Sequence, residues 1–196
     1  HSFPTRRSSD LIVTKGSAAA VQIGSAVANT SIGPVPGANA AGHGIVINGS
    51  ILGDGAYKDV QGNGLVIGGL GGSVTVAGGM TVNGSVAANS NGANATAIRL
   101  GTGATVPTIK SAGNITATGG SGATTIVRSV VVDAGANLAS ITNSGRISAA
   151  AAVDGTAIAI ADNSGTLSLV TNSGTISATS ANAGANKAIA IDLSAN

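Results

Sequence analysis

The chain has 196 residues, of which 31 are glycine, 1% aromatic and 8% charged, with 43% hydrophobic residues and a formal net charge of +2. Compact cores draw most of their buried area from large aromatic and aliphatic side chains, so this composition excludes an ordinary globule. Disorder is excluded as well, because disordered chains pair low hydrophobicity with high net charge. The pI of 9.4 comes from nine Lys and Arg against seven Asp, with no basic cluster outside the first few residues. A nucleic-acid footprint requires such a patch. No apolar run approaches the length of a membrane helix.

The opening HSFPTRRSSDL, residues 1–11, holds the only Phe and two of the Arg. It resembles the in-frame translation of a common sequencing adapter and is set aside from fold reasoning. The expectation that follows is an internal fragment of a longer protein, lacking its authentic N-terminus and any signal peptide. Residues 12–41 read as a weak solenoid or irregular Ala/Gly/Ser-rich lead-in. Pro34 and Pro36 argue against a regular rung between Thr30 and Gly44.

From residue 42 to 196 the sequence repeats. TVNGSVAA from Thr81, IKSAGNITA from Ile109, ITNSGRISA from Ile141 and VTNSGTISA from Val170 share a glycine, Gly84, Gly113, Gly145 and Gly174, at steps of 29, 32 and 29 residues. A period near 30 that joins a turn to an alternating strand is the signature of a β-solenoid. Two residues past each glycine stand Val86, Ile115, Ile147 and Ile176, and four past stand Ala88, Ala117, Ala149 and Ala178. Strand side chains alternate faces, so both columns point inward. Ser85, Asn114, Arg146 and Thr175, then Ala87, Thr116, Ser148 and Ser177, point outward.

Two further strands per repeat are expected. One is AIRL from Ala97, AIAIA (157–161) and AIAIDL (188–193), with Ile98, Ile158 and Ile189 as inward candidates; the other is VPTI, LASI and LSLV from Val106, Leu138 and Leu167. Register between Ala123 and Asp133 is open, and a one-residue slip would exchange inside for outside. The expected fold is all-β, a right-handed parallel β-helix with about three strands per coil. Five or six coils at ~4.8 Å spacing would form a rod roughly 25 to 30 Å long. The Asn-Ser-Gly corners, with Asn143, Asn163 and Asn172, read as turn chemistry, Gly taking positive φ and Asn stacking along the rod. The Asn-x-Ser/Thr triplets at Asn48, Asn83, Asn94 and Asn114 are coincidences of composition.

Chemistry has few candidates. The densest group is Asp54, Tyr57, Lys58 and Asp59 with His43 upstream, and it reads as a Gly-rich polar side loop over residues 53–64, with His43 an exposed turn residue. The chain has no Glu and no Cys, which removes Glu-based acid/base pairs, thiolate metal sites and Cys nucleophiles. Asp133, Asp154, Asp162 and Asp192 fall at or near strand ends as turn formers. Gly69 to Gly72 precede a strand and not a helix N-terminus, so no phosphate loop is indicated. Gly53, Asp54 and Gly55 match a calcium nonapeptide once, without repetition. The outward columns do not form the Thr ladder of an ice-binding face. No catalytic, cofactor or metal residue is assigned, and no enzymatic activity is expected.

The NSGTI-type repeats in a Cys-free, Gly/Ala/Asn/Thr-rich chain resemble the passenger region of bacterial autotransporters, over most of residues 42–196. Filamentous haemagglutinin-like exoproteins carry similar repeats. The resemblance implies a rod exported to the surface of a Gram-negative cell and tethered by a C-terminal β-barrel that this segment does not contain. It implies a monomeric stalk with a host-cell, neighbouring-cell or matrix surface as partner. Absence of Cys fits passage through an oxidising periplasm and a narrow pore. The alternatives are a fragment of a β-helix polysaccharide-degrading enzyme or of a two-partner-secreted adhesin.

Overall fold

A computed structural model describes residues 10–37, 42–181 and 187–196. Most of the adapter-like stretch, residues 1–9, and residues 38–41 after Pro34 and Pro36 lie outside the described residues. The described chain is all-β and winds as a parallel solenoid. Its first coil is β1 (Leu11–Lys15), β2 (Ala19–Ile23), β3 (Thr30–Ile32) and β4 (Ile45–Ile47), and its second is β5 (Ser50–Gly55), β6 (Gly62–Ile67), β7 (Val74–Val76) and β8 (Met80–Val82). The third is β9 (Ser85–Ser90), β10 (Ala95–Leu100), β11 (Ala104–Thr105) and β12 (Thr108–Ser111). Then follow β13 (Asn114–Gly119), β14 (Ile126–Val132) and β15 (Ser140–Asn143); β16 (Arg146–Ala151), β17 (Thr156–Asp162) and β18 (Leu169–Asn172); and β19 (Thr175–Ser180) with β20 (Ala188–Asp192).

Like strands stack into four sheets. The first, β1-β5-β9-β13-β16-β19, and the second, β2-β6-β10-β14-β17-β20, each have six strands; the third, β3-β7-β11, has three, and the fourth, β4-β8-β12-β15-β18, has five. Three sides per coil are therefore continuous, and the early coils carry a short fourth strand. That extra strand fades into a single bridge between Thr105 and Asn137. The stretch read as a lead-in supplies the first coil, and Asp10 O already accepts a hydrogen bond from Ser50 N at 2.8 Å.

The inward columns of the first sheet stack as the repeats require. Val86, Ile115, Ile147 and Ile176 pair in register, as do Ala88, Ala117, Ala149 and Ala178. All are buried except Ile176 and Ala178, which pack half-buried on the same core. Hydroxyl pairs such as Ser85 to Ser50 at 3.0 Å and Ser140 to Thr108 at 2.9 Å join the rungs outside. Ser148 is a partial exception on the outer face. Arg146 donates from Nε to its hydroxyl at 2.9 Å and covers it.

The corner glycines have a different cause from the one their sequence suggests. None of Gly84, Gly113, Gly145 and Gly174 has positive φ. Instead each stacks on the corner before it: a Cβ on Gly84 would lie 1.9 Å from Gly49 O, one on Gly113 1.9 Å from Gly84 O, one on Gly145 2.0 Å from Gly113 O and one on Gly174 2.1 Å from Gly145 O. Close backbone approach, not a left-handed turn, excludes every side chain there. Beside them Asn143 is buried and donates from Nδ2 to Asn172 Oδ1 at 2.8 Å, an amide ladder of two rungs.

The second sheet corrects two inward assignments, Ile158 and Ile189. Ile98 is inward, but its register partners are Val130, Ile160 and Ile191, whereas Ile158 and Ile189 align with Arg128 and Thr96 on the outer face. Ile158 belongs to a separate small cluster with Val131 and Ala161, flanked by Ile126 and Ile189. The reason is a bend in each strand, where Ala97 with Ile98, and Ala159 with Ile160, are consecutive members of the core. Period-two counting slips at such a bend. The same register resolves β14, with Val127, Val130 and Val132 in the core and Val131 outside it.

Candidate binding groove

The residues that sequence reading placed together do not form one site. Gly53, Asp54 and Gly55 belong to β5 and Gly62 to Gly64 to β6, so only residues 56–61 form a connecting loop. The glycines again serve close approach: Cβ atoms on Gly53 and Gly62 would each lie 1.9 Å from a carbonyl oxygen, of Asn63 and Asn89 respectively. Tyr57 is 67% exposed at the tip of this loop. Asp59 takes φ 60° beside it and donates its N–H to Asn91 O at 2.7 Å, tying the tip to the next coil.

His43 is elsewhere and is not an exposed turn residue. It is 8% exposed and lies over the outer face of the fourth sheet, with Nδ1 against the Thr81 hydroxyl. Burial, and then the Lys110 ammonium, push its pKa below the ordinary histidine value. A neutral imidazole capping a threonine is a structural role. The loop between β3 and β4 returns here, where Val35 N–H bonds His43 O at 2.9 Å.

Of the aspartates at strand ends, Asp162 and Asp192 act as turn formers, whereas the Asp133 carboxylate meets Arg99. Asp162 Oδ1 accepts from Ser164 N at 2.9 Å and from Ser164 Oγ at 2.5 Å, and Oδ2 accepts from Leu167 N at 2.8 Å. Burial alone would raise its pKa, but these hydrogen bonds outweigh it and hold the carboxyl below its usual range. Asp192 repeats the motif by accepting from Ser194 N at 3.1 Å. Among the described residues no three His, Cys, Asp or Glu side chains gather as a metal site.

A concavity with convergent polar groups, two arginines among them, lies on the outer face of the second sheet. Stacking places Asn63, Thr96 and Arg128 in one row and Val66, Arg99 and Val131 in the next. With Gln61, Asn94, Asp133 and Asn163 these rows, apart from Val66, line a hollow of about 200 Å³. A neighbouring hollow of about 280 Å³ shares Gln61, Asn63 and Arg99 and reaches Ser17 and Gln22. The two form a trench running along the rungs. A larger hollow of about 400 Å³ is lined by Ile12, Val21, Ile23, Ile45, Ile47 and Leu65. Apart from Leu65 on β6 of the second coil, these side chains belong to the first coil, where the inward columns begin, so the hollow is the rod's interior.

Within the trench Arg99 Nε meets Asp133 Oδ2 at 2.6 Å. Asn94 accepts the Ile126 N–H through Oδ1 at 2.7 Å, and Asn63 donates from Nδ2 to Ser17 O at 2.8 Å. Arg128 is half-buried, and its Nε is sealed from solvent with no partner. Burial is the largest influence on it and lowers its pKa, reinforced by Arg99 and opposed by Asp133 and Asp192.

Sequence reading missed this site because its residues come from successive coils. Asn63, Thr96 and Arg128 are 33 and 32 residues apart, one repeat each. Folding the sequence on its own period and reading the outer columns of the second sheet would have found them. Comparison of the chain with protein-family models, with curated proteins and with solved structures gives no match.

Proposed function

We propose that the chain is a stalk segment of a surface-displayed, autotransporter-like exoprotein, whose work is to present binding surfaces away from the cell. The observation that carries this reading is the in-register stack itself, in which the chain passes the first two sheets six times each. Solenoid stability accumulates from neighbour to neighbour, so such a rod lengthens by adding coils and presents its outer faces without altering its core. The NSGTI-type corners, Cys-free composition and thin aliphatic core support secretion of a threadable chain. Among the described residues no helix is long and apolar enough to cross a membrane.

The test is display on intact cells. Antibodies against this chain should label unpermeabilised Gram-negative cells that express the complete reading frame, and external protease should remove the signal. Labelling only after lysis would refute the proposal. The domain encoded downstream separates the two secretion routes: a barrel of alternating strands marks the autotransporter, and a haemagglutinin-type secretion domain marks the two-partner exoprotein. Turnover of an acidic polysaccharide by the purified chain would overturn a binding stalk in favour of an enzyme.

A further inference from the structure

The trench on the second sheet holds one arginine that has no direct carboxylate partner among the described residues, with Asp133 and Asp192 acting on it only at longer range. Arg99 is engaged by Asp133 at 2.6 Å. Arg128 stands one rung further along its own row, between Thr96 and Ile158. Its side chain has no hydrogen bond or ion pair among the described residues, and its Nε is buried without a partner. A guanidinium withdrawn from water is costly unless an anion meets it. Burial already lowers its pKa.

The surrounding groups define what that anion is attached to. Asn94 uses its carbonyl oxygen on Ile126 N, which leaves its NH₂ as a donor; Asn63 uses its NH₂ on Ser17 O, which leaves its oxygen as an acceptor. Thr96 adds a hydroxyl that does both. A wall of mixed donors and acceptors beside a guanidinium that no carboxylate meets directly suits hydroxyls next to a carboxylate. A peptide would instead seek the ordered donors and acceptors of a strand edge, and this trench lies on a sheet face whose strands are paired on both sides. Continuity with the second hollow through Gln61, Asn63 and Arg99 gives room for more than one sugar ring.

We infer that the outer face of the second sheet binds an acidic saccharide chain, with a uronate carboxylate on the Arg128 guanidinium and ring hydroxyls on Asn63, Asn94 and Thr96. This deepens the presentation reading by naming a ligand for one face of the rod. Calorimetric titration of the full chain with oligogalacturonate, its methyl ester and sodium acetate tests it. The acid oligomer should bind, while Arg128→Gln or esterification should each weaken binding about tenfold or more, as expected for loss of a charge-assisted pair. Arg128→Lys should fall between. No binding of the oligomer, equal binding of its ester, or acetate binding as tightly as the oligomer would overturn the inference. If the variants lose their fold, the ester comparison on the unaltered chain decides alone. A rod displayed on cells that ignores oligogalacturonate defeats this inference only, whereas saccharide binding by a chain retained inside cells defeats only the display reading.

Discussion

Replacing Gly145 with Ala separates close approach from turn conformation as the cause of the corner glycines. The new methyl would lie 2.0 Å from Gly113 O and 2.7 Å from the carbonyl carbon and oxygen of Ala112. Non-bonded heavy atoms settle near 3.5 Å, so the corner must open by roughly 1.5 Å, and none of these atoms is the end of a flexible side chain. That displacement removes the hydrogen bonds from Arg146 N to Gly113 O at 2.9 Å and from Gly145 N to Ser111 O at 3.2 Å. At about 0.5 to 1.5 kcal/mol each, with about 1 to 3 kcal/mol for overpacking, the loss should be roughly 2 to 6 kcal/mol in urea unfolding. Gly33 has ordinary φ and no atom within 4 Å of its missing Cβ. Gly33→Ala should stay within about 0.5 kcal/mol of the parent. Gly145→Asn is the sharper variant, since Asn tolerates left-handed backbone but still carries a Cβ. Close approach requires it to be as damaging as Ala. If Gly145→Asn is tolerated, or if Gly145→Ala and Gly33→Ala melt alike, the reasoning fails.

Ile147→Asp buries an unpaired carboxylate in the core column and should lower the melting point steeply, while Ser148→Asp places its charge beneath the Arg146 guanidinium and should be nearly neutral; similar losses would count against the observed facing. Asn143→Ala removes donors to Asn172 Oδ1, Thr175 O and Gly145 O and should cost roughly 1 to 3 kcal/mol, with a smaller loss for the exposed Asn172→Ala. Two groups set the acid limb. The depressed pKa of Asp162 means its contribution is complete above the ordinary value of 3.8 and is lost as pH falls towards its folded value, so Asp162→Asn should flatten unfolding curves below about pH 4. His43 is depressed too, so its contribution is complete above 6.5 and declines as pH falls from there; His43→Gln should remove a step below that pH, and an unchanged profile would refute the buried imidazole.

The last four strands of the first sheet were legible because each follows a repeated phrase. Gly145, Ile147 and Ala149 recur at fixed offsets as Gly174, Ile176 and Ala178, and the offsets carry the register with them. The second sheet lacked such a marker. AIRL and AIAIA look alike, yet Ile98 stacks on Ile160 and not on Ile158, because two successive residues enter the core at the bend and local alternation no longer reports facing. Burial of His43 was hidden for a different reason. Thr81, which it covers, is 38 residues away, and no local pattern encodes that contact.

The same geometry explains why the site was harder to read than the fold. An inward position is constrained by the rungs above and below, so Val86, Ile115 and Ile147 must resemble one another and therefore repeat. An outward position is constrained only by solvent and by its two neighbours, so the row Asn63, Thr96, Arg128 and Ile158 changes character at every rung. Repetition thus records the scaffold, and departure from repetition records what the scaffold presents. In a rod whose coils touch only their neighbours, replacing one outward residue leaves the columns intact. Arg128 can then be tested without disturbing Val127 or Val130, which flank it in the core. Melting that does not fall, together with weakened saccharide binding, in Arg128→Gln is what this separation of faces demands.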